Sequence, residues 1–390
     1  MKIAVVCDSF KGSLTSKDAC AAVKDGLLRC NKNFEVLSLP FADGGEGTSR
    51  CFYDILGGQL RKAAVHDPLL REITAEYTVL PDGTAVIDIA SASGLTLLKS
   101  SERDAVKVSS LGSGELICDA AEHGAKHIIL GLGGSATTDA GTGILYALGM
   151  RFFSEDGVEV LPDGQNMIRV KKIRRTENFE RFKDMKFTLA CDVTNPLCGE
   201  NGAAYVFSPQ KGASKNDVEL LDDGLRNIGE IFEKASGKKI VNLPGAGAAG
   251  GIGGGLSAFL NCELQSGFDV LARAASLEDK IRRSDAVITG EGKTDRQTLF
   301  GKLPKRVSDI AEKFGVPCIL LSGDVENDIS AEKLGVCEIH KIKENGISLE
   351  HCMKNAASLL SERAFAIGKD SKIINKQYSR KQEKMRENER

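Results

Sequence analysis

HIILGLGGSATTDAGTGILYALG, residues 127–149, carries the pattern on which the fold turns. Its opening run, His127–Leu132, is apolar, too short for a buried helix and closed at once by glycine, which reads as a strand covered on both faces. A loop of Gly, Ser, Thr and Asp follows, and in ILYALG the apolar period lengthens to that of a helix. The same order recurs at Ile3–Cys7, Ala85–Ile89, Phe187–Cys191, Ala286–Thr289 and Pro317–Ser322, each run ending in a cluster of Gly, Ser, Thr or Asp. Repetition of this unit predicts an α/β protein with a mostly parallel sheet in three α/β/α layers, and 390 residues make two domains the natural partition.

Composition narrows what such a fold would bind. Lys plus Arg (52) nearly cancels Asp plus Glu (54), so no global field draws the chain to nucleic acid or to an anionic membrane. The absence of Trp and the presence of only 5 Tyr argue against a stacking platform. Glycine is in excess, 42 residues or about 11% against an ordinary 7%, and is clustered, as expected where backbone must approach a small polar ligand. Eleven cysteines without CxxC spacing read as reduced thiols in a cytoplasmic protein. The start of the chain lacks the pattern of a signal peptide, and no apolar stretch is long enough to span a membrane.

In open α/β sheets, ligands lie at the carboxyl ends of strands, where loops present N–H groups and helix N-termini. Five motifs fall at such places. DSFKGSLTS (8–16) sets Asp8, Ser9, Lys11 and Ser13 on a strand-to-helix turn, where Lys11 either pairs an anion or is a solvated turn lysine and Ser16 would cap the helix. PFADGGEGT (40–48) flanks Gly44 and Gly45 with Asp43 and Glu46, hard oxygen ligands beside exposed amides, the chemistry of a Mg²⁺–phosphate or polyol site. GLGGSATTDAGTG (131–143) offers Gly133, Gly134, Ser135, Thr137 and Thr138 as an anion cradle. Asp139 inside it would repel a phosphate unless it holds a cation, caps a helix or contacts a hydroxyl, which makes it a candidate for metal or substrate rather than phosphate. CDVTNPLCG (191–199) places Asp192 near Asn195 on an elbow that Pro196 forces off the strand, suited to a proton acceptor or to a plain Asx turn. GEGKTDRQT (290–298) supplies Glu291, Lys293 and Asp295.

Two tempting motifs fail. Gly292-Lys293-Thr294 would complete a P-loop only with glycine at 287, where Val287 stands. Gly245-x-Gly247-x-x-Gly250, with Asp269 beyond, matches a dinucleotide fingerprint on paper, but Pro244 interrupts the strand-to-glycine turn. The long glycine run reads better as close helix packing or backbone lining a cleft.

Taken together and in this order, these motifs and PGAGAAGGIGGGL (244–256) resemble the bacterial type I glycerate kinase family from Met1 to about Ala366. DIASASGL (88–95) and LGSGEL (111–116) depart conservatively from the segments usual there, which leaves the role of Asp88 open. The resemblance implies a two-domain protein with one α/β domain inserted into the other and the site in the cleft between them. The expected boundaries are 1–65 with 285–370 for a Rossmann-like discontinuous domain, 66–284 for the insert, and 371–390 for a flexible charged tail. It implies ATP and D-glycerate as substrates, Mg²⁺ as cofactor, and a monomer or homodimer. Phosphoryl transfer then suggests Ser9 and Lys11 for a carboxylate or phosphate, and Asp43 and Glu46 for Mg²⁺. Gly133 to Thr138 would take phosphates, Asn195 and Glu291 would contact ligand, Asp192 would be the base and Asp295 its reserve.

Overall fold

The computed structural model describes residues 1–42, 44–344 and 346–379. The chain forms two compact units, Met1–Asp43 with Leu271–Arg390 (unit 1) and Gly44–Val270 (unit 2). It lays down β1 (Lys2–Cys7) and β2 (Glu35–Pro40) in unit 1. Unit 2 follows with β3 (Gln59–His66), β4 (Glu72–Val79), β5 (Ala85–Asp88), β6 (His127–Gly131), β7 (Met150–Phe153), β8 (Lys172–Arg175), β9 (Lys186–Ala190) and β10 (Asn261–Gln265). The chain closes unit 1 with β11 (Ala286–Thr294), β12 (Cys318–Val325) and β13 (Glu338–Lys341). The α/β class with mostly parallel sheets is therefore observed. The crossing points fall at 43/44 and 270/271 rather than at 65/66 and 284/285, because β3 pairs with β4 along its whole length and belongs to the second sheet.

Unit 1 is a parallel sheet in the order β13-β12-β11-β1-β2. Alternate residues Ile3, Val5, Ile288, Ile319 and Leu321 pack under the helices Ser16–Cys30 and Ala356–Asp370. The intervening Ala4, Val6, Val287 and Leu320 are also fully buried, on the side of the helix Leu303–Lys313. Burial on both faces is why these strands read as continuous apolar runs rather than as alternation. The helix after β1 is capped by Thr15, whose Oγ1 accepts from Asp18 N at 3.1 Å, one residue before the expected Ser16. The expected tail is corrected in part. Residues 372–379 are helical, Ile374 is fully buried in the unit 1 core, and the Tyr378 ring stands 5.9 Å from that of Phe34. Ile374 and Tyr378, four apart, supply an apolar stripe in a charged segment; residues 380–390 lie outside the described ones.

Unit 2 has a six-stranded sheet in the order β10-β9-β6-β5-β4-β3. Strands β10, β9, β6 and β5 are parallel, whereas β4 and β3 are antiparallel. A separate antiparallel pair joins β7 and β8. The glycine run passes through a left-handed kink at Ala249, Gly250 and Gly251 inside the helical stretch Ala248–Phe259, and the kink lies against the loop after β6. A Cβ on Gly250, itself at φ +71°, would stand 2.0 Å from Thr137 O, so only glycine permits that approach. This is the packing role expected for the run, and no dinucleotide turn is formed.

Candidate active site

In unit 2, three motifs meet at the carboxyl edge of the parallel strands. The loop after β6 and the loop preceding the helix Thr48–Leu56 touch backbone to backbone. Gly133 N donates to Gly44 O at 3.1 Å, and a Cβ on Gly133 would lie 2.4 Å from Gly45 Cα. Gly44, Gly45, Gly133 and Gly134 thus form one glycine surface. Asp88, at the end of β5, lies under it and resolves its open role: it accepts from Gly47 N and Ser49 N, each at 3.0 Å, holding the first turn of that helix. Burial pushes the Asp88 carboxyl up to about 7, against the pull of those two N–H groups and with a further push from Glu46.

Asp139, a candidate for metal or substrate on sequence, faces the interior of the fold instead. It is fully buried and accepts from Ser110 N (2.9 Å), Ser110 Oγ (2.7 Å), Gly141 N (3.1 Å) and Gly143 N (3.4 Å). Of the three roles open to it, helix and loop anchoring is the one observed. Burial raises its carboxyl above the usual range, partly offset by these donors.

Sequence reasoning missed the cation behind the loop. Lys211, in the short turn Pro209–Lys211, is almost fully buried, and its Nζ donates to Thr137 O at 2.6 Å and Ser135 Oγ at 3.1 Å. Burial lowers its ammonium to about 8, with Asp139 acting the other way. A lysine between Gln and Gly reads as surface, so nothing in the sequence marks it. Thr138 Oγ1 pairs with Ser208 Oγ at 2.9 Å, while Thr137 Oγ1 is buried without a partner among the described residues. Asp192 is exposed in the loop that leaves β9, next to β6 in the sheet, and Asn195 Nδ2 holds that loop by donating to Asn201 O at 2.8 Å.

In unit 1 the strand order, counted along the unit, is 2-1-3-4-5, and the direction of winding reverses between β1 and β11. Open sheets bind ligands at such a switch point. A cavity of about 620 Å³ opens there, lined by Asp8, Ser9 and Lys11 after β1 and by Glu291, Lys293 and Asp295 near the end of β11. Ser9 N donates to Asp8 Oδ1 at 2.6 Å. Glu291 is buried, accepts from Thr298 Oγ1 at 2.7 Å, and is pushed up by burial. Asp295 accepts from Gln297 N at 2.9 Å and lies 3.4 Å from Lys302 Nζ. Burial opposes its ionisation, but the Lys302 charge and the Gln297 N–H hold it below the usual carboxylate range. Lys293 and Lys343 are engaged with Glu326 (2.8 Å) and Asp324 (2.6 Å). Lys11 is exposed on the Phe10–Leu14 turn and has no ion-pair partner among the described residues. The Gly292-Lys293-Thr294 triplet is extended within β11, so it wraps no phosphate.

Asp43, expected as a metal ligand with Glu46, lies outside the described residues. Among those described, no three of His, Cys, Asp and Glu come together as a metal site. Glu46 is exposed at the glycine surface. One or two carboxylates with substrate phosphates and water completing the shell is the usual way Mg²⁺ is held, so the residues present fit that ion rather than a protein-caged metal.

The model of the glycerate kinase family matches residues 3–372. The chain is 38% identical to a glycerate kinase of Halalkalibacterium halodurans over 93% of its length and 96% of the relative's. To a glycerate 2-kinase of Escherichia coli it is 41% identical, over 84% and 87%. A crystal structure from Salmonella typhimurium assigned as a glycerate kinase 2 superposes with a TM-score of 0.84 at 35% identity, covering 95% of this chain and 97% of that one. With a family model spanning nearly all its residues and relatives matched almost end to end, the chain belongs to the glycerate kinase family.

Proposed function

We propose that the chain is a kinase that transfers the γ-phosphoryl group of ATP to a hydroxyl of D-glycerate. The observation that carries this reading is a glycine surface with a buried cation behind it: Gly44, Gly45, Gly133 and Gly134 converge, and Lys211 is fixed under Ser135 and Thr137. A glycine-lined loop over a buried ammonium suits a phosphoryl group, whose charge must be matched without covalent chemistry. In the step proposed, the substrate oxygen bonds to the γ-phosphorus as the bond to the β–γ bridging oxygen breaks, ADP leaves, and the hydroxyl proton passes to Asp192. Asp295, held ionised and low by Lys302, is the weaker acceptor. Mg²⁺ would neutralise charge on the nucleotide phosphates, with Glu46 and Asp43 as candidate oxygen ligands. Ser9 and Lys11 contact an anionic group of glycerate or nucleotide.

Among the described residues no helix is long and apolar enough to cross a membrane. All eleven cysteines are unpaired, which suits a reducing compartment, and we assign the chain to the cytoplasm. Incubation with ATP, Mg²⁺ and D-glycerate should release ADP in a glycerate-dependent manner, and ADP release indifferent to glycerate would remove the reading. The name of the Escherichia coli relative makes the 2-hydroxyl the position to assay first.

A further inference from the structure

We infer that Arg103 holds the carboxylate of the acid substrate, its guanidinium fork taking both carboxylate oxygens beside the loop after β6. The inference rests on the kinase reading above and names the residue that would distinguish glycerate from an uncharged polyol. Burial and pairing come first. Arg103 is half-buried, and its Nε is buried with no hydrogen-bond partner among the described residues. The carboxylates on either side of it in sequence are taken by other cations, Glu102 by Arg71 at 2.9 Å and Asp104 by Lys107 at 3.0 Å. A guanidinium keeps its charge wherever the protein is folded, and a buried donor left unpaired is a standing cost to the fold. An anionic ligand is the partner it lacks.

Position agrees. A Cβ on Gly212 would collide with Arg103 O and stand 3.1 Å from Arg103 Cβ, so glycine is needed where the Arg103 backbone lies against the residue that follows Lys211. Two residues on, the same stretch reaches the loop itself, since a Cβ on Gly164 would stand 2.9 Å from both Ala105 O and Thr138 O. Its far end is tied there as well, through Ser110 N and Oγ to Asp139 at 2.9 and 2.7 Å. Arg103 therefore belongs to the loop cluster that holds Ser135, Thr137 and Lys211. The two cations differ in what they can do. The Lys211 ammonium is spent on Thr137 O and Ser135 Oγ and acts on an anion through space. Arg103 offers a planar fork of donors, which matches the two coplanar oxygens of a carboxylate. Glycerate brings one such group; a neutral polyol brings none.

The test is steady-state kinetics of the full chain and of Arg103→Gln and Arg103→Lys, with the unfolding midpoint read on the same preparations. D-glycerate and ATP are varied in turn, and glyceramide, the uncharged amide of glycerate, is added as a competitor of glycerate. Arg103→Gln should raise KM for D-glycerate by roughly 10- to 150-fold, with KM for ATP and the inhibition constant of glyceramide within about threefold of wild type. Arg103→Lys, which keeps the charge and loses the fork, should fall between the two. A glycerate KM unmoved in Arg103→Gln overturns the assignment, as does an equal loss for glycerate and glyceramide, the mark of a merely structural arginine. A rise in KM for ATP in place of that for glycerate overturns it too, since the fork would then serve phosphate. Glycerate-dependent ADP formation by the wild type is the control on the reading beneath. Without it the kinase reading and the carboxylate site fall together; with it and kinetics indifferent to Arg103, only the site falls.

Discussion

Replacing Lys211 with Met separates what the buried ammonium does for folding from what it does for phosphate. The depression from its ordinary 10.5 to about 8 means that keeping the ammonium charged in the fold costs ~3 kcal/mol at neutral pH. Met would relieve that cost but leave Thr137 O and Ser135 Oγ without their donor, at roughly 1–3 kcal/mol for each buried unpaired group. The two nearly cancel, and a Met of similar length refills the volume, so stability should change by no more than about 2 kcal/mol. Activity has no such compensation. Two unit charges about 6 Å apart at an effective dielectric of about 20 attract by ~3 kcal/mol, which is the scale of what an anion bound at this loop would lose with the ammonium. Lys211→Met should therefore lower kcat/KM by roughly 30- to 100-fold with a nearly unchanged unfolding midpoint. The pH profile gives a second reading. Wild-type activity should fall as pH rises through about 8 and the ammonium loses its proton, with Asp139 the charged group facing it; the variant should lack that limb. Because the folded protein releases this proton before the unfolded chain does, the wild type should also gain stability between about pH 8 and 10.5 relative to the variant. Wild-type kcat/KM in Lys211→Met, or an unchanged alkaline limb, would refute the reasoning.

Asp192→Asn should fold normally and lose roughly 10²–10⁴ in kcat, the usual worth of a positioned base, as measured by steady-state kinetics; an unchanged kcat removes it from that role. Lys11→Ala, at an exposed turn, should leave the unfolding midpoint in place and cost roughly 10- to 150-fold in kcat/KM, and kinetic constants within about twofold of wild type would make it a solvated turn lysine. Asp88 keeps its proton up to about 7 in the fold, so wild-type stability should decline as pH rises from about 4 to 7. Asp88→Asn should flatten that slope in thermal unfolding across the range, at a cost of about 1 kcal/mol at acid pH for the weakened helix start.

Six parallel strands were legible because burial on both faces writes them as unbroken apolar runs, namely β1, β5, β6, β9, β11 and β12, whereas the parallel edge strands β2, β10 and β13, with exposed and half-buried positions, offered none. The antiparallel β3 and β4 were not legible either, because QLRKAAVH and EITAEYTV interleave exposed and half-buried positions with the buried Ala63, Val65, Ala75 and Tyr77 and offer no run. That omission put the first expected domain boundary inside β3, within unit 2. Candidate site residues stood out wherever glycine or a carboxylate followed a strand, as at Gly133 and Asp192. Lys211 stayed hidden because its role comes from burial beneath Ser135 and Thr137, which a lysine flanked by Gln and Gly does not announce. Asp139 was visible but ambiguous; only the geometry of Ser110 and Gly141 selects the anchoring role.

The central claim is phosphoryl transfer from ATP to glycerate, and ³¹P NMR of a reaction containing the full chain, ATP, Mg²⁺ and D-glycerate tests it most directly. The account predicts loss of the γ-phosphorus signal matched one-for-one by a phosphate monoester of glycerate, with ADP as the other product. Release of inorganic phosphate with no monoester, or ATP left intact, would contradict it.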